Sequence, residues 1–192
     1  FGGKLTRIDA ALATILDSLS IKKDTEEIEL DRALNKILAE DVTASENVPA
    51  DNNSAVDGYS IFFDDLNKTG STEMPIAGKA AAGRPLKSLQ KRGEAVRIFT
   101  GAVMPNGADE ENPDTVLMQE DCQLENGKVL IPPGIKRGSN RRLSGEDIAA
   151  GTLVLKAGMR LRPQDIGLAA ATGKVSLSVR KPLRVAVFST GD

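Results

Sequence analysis

The chain lacks several residue types on which common kinds of active site depend. Its 192 residues include no histidine, which excludes Ser-His-Asp triads, imidazole general bases and histidine-ligated metals within this sequence. Tryptophan is absent and aromatic residues make up only 3% of the chain, so the core must consist mainly of Val, Ile, Leu and Ala. The single cysteine, Cys122, excludes an internal disulfide and a cysteine-rich zinc site, and this usage is typical of a reducing, cytoplasmic compartment.

Two classes of partner are excluded by features that the sequence has little of. Its 25 basic and 27 acidic residues give a formal net charge of −2, whereas a general nucleic-acid binder has a basic excess. No apolar run approaches the roughly 20 residues that a membrane-spanning helix needs. We therefore expect neither a nucleic-acid partner nor a membrane partner. The remaining chemistry uses carboxylates, hydroxyls, Lys, Arg and backbone amides, a set that suits Mg²⁺, phosphates and other oxyanions.

The two ends of the chain have the pattern of helices alternating with short strands. Apolar residues at helical spacing predict a helix over Thr6–Leu19, capped by Thr6 and Asp9. A second short helix is predicted after Asp31, and a later one is predicted to begin at Pro163. The strands predicted in the same regions are Glu27–Leu30, Leu153–Leu155 and Val175–Val179.

The pattern changes at Pro49, after which short apolar runs are broken by turns as far as about Gly145. The sequence Glu125–Lys128 contains the pair Asn126-Gly127, which is typical of a type I′ hairpin turn because both central residues need a positive φ. We therefore predict a separate β-rich module in this stretch. Its predicted strands are Tyr59–Phe63, Ala95–Phe99, Thr115–Met118 and Val129–Ile131.

The last segment has the pattern of a strand buried in a parallel sheet. Leu183–Phe188 is nearly continuously apolar, as strands covered on both faces are, and it leads into Ser189–Asp192. Such a strand needs neighbouring strands and covering helices, so we expect it to be the first strand of an α/β domain that continues past this sequence. Because the chain begins at Phe1 rather than at a methionine, we also expect the natural start to lie upstream.

Two turn sequences carry candidate chemistry, and each also has a purely structural explanation. Asp57 precedes Gly58 and a strand, where a carboxylate on a tight turn can bind a metal or the counter-ion of an oxyanion. The surrounding Asp and Asn residues are equally typical of a plain loop. Thr100 ends a strand before Gly101, so its hydroxyl and N–H, together with free amides of the turn, can bind an anion. A simple strand-ending Thr-Gly turn is the alternative.

A third cluster combines Arg141 and Arg142 with Glu146 and Asp147. Paired guanidinium groups suit phosphate and the adjacent carboxylates suit Mg²⁺, although a solvated charge cluster on a loop explains the same residues. The sequence Gly78–Gly83 lacks the spacing of a phosphate-binding loop, so we expect close backbone packing there instead.

Taken together, these elements resemble the MoeA-type molybdopterin molybdenumtransferases, and they follow the family order over nearly the whole chain. Asn53–Tyr59 matches the family element Asn-Ser-Ala-Met-Asp-Gly-Tyr, with Val56 in place of Met. The other matching elements are Arg97–Ala102, Thr115–Glu120, Asn140–Ile148 and the turn Ser189–Asp192.

The resemblance implies a mixed α+β fold in which a β-rich domain II is inserted in a discontinuous, helix-and-strand domain I. Domain I would comprise residues 1–48 and 148–181 and would form a homodimer. Domain II would comprise residues 49–147 and would supply half of the active site. Residues 182–192 would then begin a truncated α/β domain III.

The function implied by the resemblance is molybdenum cofactor biosynthesis. Molybdate is inserted into adenylated molybdopterin, with Mg²⁺-dependent hydrolysis of the adenylate and release of AMP. Further expectations are an interaction with the molybdopterin adenylyltransferase and inactivity of these 192 residues alone. Gephyrin-type relatives use the same architecture as a receptor-clustering scaffold, so an assembly module without chemistry is the alternative. The implied site residues are Asp57, Thr100 and Asp147 for catalysis, Gly58, Gly101, Arg141 and Arg142 for substrate binding, and Glu146, Asp147 and Asp192 for the metal.

Overall fold

The computed structural model of the chain describes residues 6–20 and 24–189 and contains two compact units. The terminal unit comprises Phe1–Val42, Leu153–Ala170 and Lys174–Asp192. The central unit comprises Thr43–Thr152 and Ala171–Gly173. In the part of the chain that the structure describes, no helix is long and apolar enough to cross a membrane.

The terminal unit is built around a short antiparallel strand pair and a helix. Strand β1 (Thr25–Glu29) pairs with β12 (Ser176–Arg180), and helix α2 (Pro163–Ala171) begins at the proline that the sequence predicts. A second pair joins β2 (Val42–Thr43) to β11 (Leu153–Leu155). The buried core consists of Ala33, Leu38, Val42, Leu155, Leu161, Ala169, Leu177 and Val179.

The first predicted helix is present, but its predicted cap is wrong. Helix α1 spans Ile8–Ser18, and its N-cap is Arg7, which forms no side-chain capping hydrogen bond. Thr6 lies one position too early to cap a helix that begins at Ile8, so it cannot form the expected pair with Asp9. No residue of α1 is buried in this chain.

The helix predicted after Asp31 does not form. A single 3₁₀ turn covers Leu30–Arg32, and Asn35 then adopts a φ of 63°, a left-handed conformation that ends a right-handed helix. The chain continues instead as a β-bridge from Leu38 to Val179. This arrangement buries Leu38 completely, so tertiary packing determines the backbone here.

The central unit is dominated by a six-stranded sheet. Its strands are β4 (Gly58–Ile61), β5 (Thr72–Ala80), β6 (Ala95–Ile98), β7 (Thr115–Met118), β8 (Gln123–Glu125) and β9 (Lys128–Ile131). Their order in the sheet is β7-β4-β6-β5-β9-β8. Its neighbours are antiparallel except for the parallel pair β5–β6. The edge strands β7 and β8 are joined by Gln119–Cys122 alone, which spans roughly 17 Å at most, whereas five flat strand spacings total about 24 Å. The sheet must therefore curl.

Outside the main sheet, the short strands β3 (Asn53–Ser54) and β10 (Arg141–Arg142) form an antiparallel pair. The predicted hairpin is confirmed, because Asn126 and Gly127 have φ angles of 50° and 79° between β8 and β9. Strand β5 was not predicted, since it contains a proline and a glycine, which are unfavourable in strands. A Cβ at Gly78 would lie 2.6 Å from a methyl carbon of Leu86, so the close neighbour is a side chain rather than the expected backbone.

The apolar segment Leu183–Phe188 does not form the predicted strand. It has no regular secondary structure and pairs with no strand among the described residues. Its large side chains are exposed, and Val187 retains 89% of its accessible surface. A parallel strand is stable only with neighbours on its edges and cover on its faces, and this part of the chain has neither.

Candidate active site

The turn before β4 is held by backbone and hydroxyl contacts. The Ser54 hydroxyl donates to the carbonyl of Val56 over 2.6 Å and accepts the Val56 N–H at 3.3 Å. The Gln119 N–H donates to the carbonyl of Asp57 over 3.0 Å. These contacts fix the backbone at Asp57, so its carboxylate leaves the turn in a defined direction.

The carboxylate of Asp57 is bound by both donors of Thr100. Its Oδ1 accepts the Thr100 N–H at 2.8 Å and the Thr100 hydroxyl at 2.7 Å. The backbone hydrogen bond from Thr100, then its hydroxyl, and the charge of Arg97 lower the pKa of Asp57 from its ordinary value of 3.8. Asp57 is therefore ionised at neutral pH. The donors of Thr100 that we expected to face an oxyanion are occupied by Asp57.

The two glycines of these turns have mainly structural roles. An ideal Cβ on Gly58 would lie 1.7 Å from the carbonyl oxygen of Leu117, so only glycine allows β4 to approach β7 this closely. Gly101 has a φ of 76°, and its N–H donates to the carbonyl of Ser54 over 2.8 Å. The Ala102 N–H is likewise bonded, to the carbonyl of Phe99. The free turn amides that we expected are therefore absent at these two positions.

Arg97 connects the Asp57 turn to the segment Gln119–Cys122 between β7 and β8, a role that sequence reasoning missed. One guanidinium nitrogen donates to the side-chain carbonyl of Gln119 and another donates to the carbonyl of Gly58 at 3.3 Å. The guanidinium also lies 5.0 Å from the ring centroid of Tyr59 and 4.8 Å from that of Phe99. The available signal was a single charge inside β6, whose other residues are fully buried.

In the cluster of Arg141, Arg142, Glu146 and Asp147, both acids contact a neighbouring arginine. Arg142 donates to the carboxylates of Glu146 and Asp147, each over 2.6 Å. The Leu143 N–H, the larger cause, and Arg142 together lower the pKa of Glu146. The Ser144 N–H donates to the side-chain oxygen of Asn52 over 2.8 Å, which anchors the loop beside β3. Both acids are thus neutralised by the same guanidinium.

Among the residues that the structure describes, Arg141 has no acidic partner, whereas Arg142 has two. It lies opposite Ser54 in the β10–β3 pair, and its Nε is buried without a hydrogen bond. It is the one described side chain with such an orphaned buried atom. A buried donor without a partner is costly, so Arg141 retains unused hydrogen-bonding capacity.

The described residues do not form the predicted ligand set for Mg²⁺. They contain no group of three metal-ligating side chains. The carboxylates of Glu146 and Asp147 are both held by Arg142, and the third predicted ligand, Asp192, lies outside the described residues.

The structure thus brings the predicted site residues together in two groups. Asp57, Gly58, Thr100 and Gly101 form one, and Arg142, Glu146 and Asp147 form the other. Strand β3 connects them, since Ser54 bonds Gly101 and also pairs with Arg141. Within the described ranges, no hydrogen bond joins the two groups directly.

Comparison with known proteins confirms the resemblance. The model of the MoeA N-terminal region, domains I and II, matches residues 6–173. The molybdopterin molybdenumtransferase of Haemophilus influenzae is 38% identical over 186 residues, which are 96% of this chain and 44% of that protein. The molybdopterin molybdenumtransferase of Nostoc is 36% identical over 181 residues, which are 93% of this chain and 40% of that protein.

A solved structure agrees with the predicted fold class. The crystal structure of a molybdopterin biosynthesis MoeA protein from Pyrococcus horikoshii matches with a TM-score of 0.79 at 31% identity, over 92% of this chain and 46% of that one. The chain spans less than half the length of the relatives that it matches. Its sequence and its mixed, mostly β fold both place this chain in the MoeA family, over the family's N-terminal region.

Proposed function

We propose that the chain is the N-terminal part of a molybdopterin molybdenumtransferase that acts in molybdenum cofactor biosynthesis. The names of its relatives support this function, because they match nearly all of this chain at 36% to 38% identity. The proposed reaction inserts molybdate into adenylated molybdopterin and releases AMP. The observation that carries the proposal is the contact between Asp57 and Thr100, which fixes an ionised carboxylate on a glycine turn.

In this proposal Asp57 is the catalytic carboxylate of the central unit. Because Thr100 keeps it ionised and immobile, it can orient a water molecule or a cationic reactant without reorganising during the reaction. Thr100 is a positioning residue, since its N–H and hydroxyl both act on Asp57. Arg97 and Gln119 hold the other side of the same turn.

The cluster of Arg141 and Arg142 is proposed to contact one phosphate group of the adenylated substrate. Guanidinium groups bind phosphate through paired, charge-assisted hydrogen bonds. Arg141 has an orphaned donor, whereas Arg142 must exchange Glu146 or Asp147 for the incoming anion. Asp147 is therefore proposed to act by holding Arg142. We assign no step to Mg²⁺, because Arg142 holds two of its three predicted ligands and the third, Asp192, lies outside the described residues.

The proposal includes a homodimer, an interaction with the molybdopterin adenylyltransferase and a cytoplasmic location. The dimer is supported by α1, whose apolar side chains Ile8, Leu12, Ile15 and Leu16 are all more than half exposed in the single chain. The location is supported by the presence of only one cysteine, Cys122.

The decisive experiment measures AMP release from adenylated molybdopterin by the complete protein that carries this chain. Thr100→Val removes the hydroxyl contact to Asp57 and should lower the rate roughly tenfold or more, as misplacement of a catalytic group does. Thr100→Ser keeps both donors and is the matched control, so it should retain most of the activity. Asp57→Asn should be the least active variant, and thermal melts check that all three variants are folded.

Equal rates for Thr100→Val and Thr100→Ser would contradict the positioning role. A complete wild-type protein that releases no AMP, yet clusters a binding partner, would favour the scaffold alternative.

A further inference from the structure

A cavity of about 620 Å³ opens on one face of the curled sheet in the central unit. Tyr59, Arg97 and Lys79 line it, and they lie in one row because Tyr59 is in register with Arg97 and Arg97 with Lys79. Side chains in register on adjacent strands share a face of the sheet, so this row is a direct result of strand pairing. The volume lies within the range of small-molecule sites.

A β-bulge in β5 shapes this cavity. Ile76 and Gly78 pair with the consecutive residues Ala95 and Val96, so Ala77 is an extra, unpaired residue on the wall. Bulges re-aim neighbouring side chains and are frequent beside active sites. Ala77 has a small side chain, so the space beside the row stays open.

The cavity combines positive charge with an apolar wall. The Lys79 ammonium lies 4.7 Å from the ring centroid of Phe99, and the Arg97 guanidinium lies 4.8 Å from the same centroid. Neither acidic residue type is present among the lining residues, and Lys79 forms no ion pair in the described part of the chain. Ile76 and Leu124 provide apolar surface in the same cavity.

We propose that this cavity binds a phosphate ester carried by a planar heterocycle. Lys79 and Arg97 hold the phosphate oxygens, because an ammonium group and a guanidinium group bind them by charge-assisted hydrogen bonds. The heterocycle packs against Leu124 and Ile76. Gln119 connects the cavity to the turn that carries Asp57. Its side-chain oxygen accepts a hydrogen bond from Arg97, and its backbone N–H donates to the carbonyl of Asp57.

The identity of this ligand with the enzyme's substrate rests on the proposed function, since an adenylated pterin contains both a phosphate ester and planar rings. Binding by the cavity itself follows from the shape and charge of the central unit alone. The two can therefore be tested separately.

The experiment uses Tyr59 as a built-in reporter. It is the only tyrosine and the chain has no tryptophan, so the intrinsic fluorescence of the 192-residue chain comes from the cavity. AMP is titrated with excitation at the red edge of tyrosine absorption, and pyrophosphate and adenosine serve as phosphate-only and ring-only probes. We expect AMP to change the signal with saturation and to bind more tightly than either partial probe.

Two variants test which residues hold the ligand. Lys79→Met should raise the Kd of AMP roughly tenfold, the effect of losing one charge-assisted hydrogen bond. Lys156→Met is the matched control, because Lys156 is an exposed lysine of the terminal unit, and it should leave the Kd unchanged. Ala77→Leu keeps both charges but fills the cavity, so it should abolish the signal even if Lys79→Met proves difficult to fold.

Equal AMP affinity in the wild-type chain, Lys79→Met and Ala77→Leu would overturn the proposal, as would an unchanged Tyr59 signal. If AMP binds as expected while the complete protein makes no cofactor, the cavity assignment stands and the proposed function fails. If the complete protein makes cofactor but the 192-residue chain does not bind AMP, the proposed function stands and the cavity assignment fails.

Discussion

Replacing Gly58 by alanine should destabilise the central unit by about 3 kcal/mol or more. The new Cβ would lie 1.7 Å from the carbonyl oxygen of Leu117 and 3.3 Å from the Cα of Met118, and the backbone atoms that it meets cannot rotate away. Strand β4 must therefore move away from β7. Overpacking of this kind costs about 1–3 kcal/mol, and each ladder hydrogen bond lost adds about 1 kcal/mol.

The assay is urea unfolding of the wild-type chain and the variant, with Gly167→Ala as the matched control. Gly167 lies in the exposed part of α2, and its added Cβ would meet nothing within 4 Å. The same chemical change should there stabilise the chain by roughly 0.5–1 kcal/mol, because alanine favours a helix. The change in the free energy of unfolding caused by Gly58→Ala should thus be opposite in sign to that of Gly167→Ala, and larger.

A loss of less than about 1 kcal/mol in Gly58→Ala would refute this reasoning, because it would mean that β4 and β7 can separate cheaply. The result also bears on the expected substrate-binding role of Gly58. If activity falls only in proportion to the loss of folded protein, the glycine serves strand packing.

Three further outcomes are expected. Thr100 lowers the pKa of Asp57 in the folded chain below its ordinary value of 3.8. The stability that this contact adds is therefore present above pH 3.8, and it is lost as the pH falls through the folded-state pKa. Asp57→Asn should therefore be less stable than wild type at pH 7, and thermal melts should show this difference shrinking as the pH falls below 3.8. Burial raises the pKa of the Cys122 thiol to about 11, so this thiol should react slowly with a disulfide reagent at neutral pH. The reaction should be faster in urea, and fast labelling of the folded chain would contradict this prediction. Gly127→Ala should lower the free energy of unfolding in urea by about 1 kcal/mol, because Gly127 has a left-handed φ of 79°. The added Cβ meets no atom within 4 Å, so the loss comes from the backbone conformation alone. An unchanged unfolding midpoint would show that the hairpin tolerates alanine in this conformation.

Much of the central sheet could be predicted from local patterns. The apolar runs at Ala95–Ile98 and Thr115–Met118 formed strands, because their residues are buried on the sheet. The Asn126-Gly127 turn formed because its φ requirement is local. Strand β5 was missed because Pro75 and Gly78 reduce its local strand propensity, which the pairing with β6 and β9 overrides.

The candidate site was predicted as residues but not as contacts. The motifs identified Asp57 and Thr100 separately, yet their hydrogen bonds span 43 residues of sequence. Arg97 was quoted within a motif without a role, because the partners that define its role lie on other segments. Thr100 was assigned to an anion on the strength of its free donors, and only the folded chain shows that Asp57 takes both.

The sequence by itself determined the family, the strand-rich middle and the types of residue available for chemistry, because motifs, periodicity and composition are local properties. The tertiary structure alone decided which donor meets which acceptor. In the folded chain the carboxylate of Asp57 accepts hydrogen bonds from Thr100, and Lys79 lies in register with Arg97. A bulge at Ala77 lies on the wall of the cavity beside them. Contacts of this kind depend on strand register and sheet curvature, which are set by the packing of the whole unit rather than by any short segment.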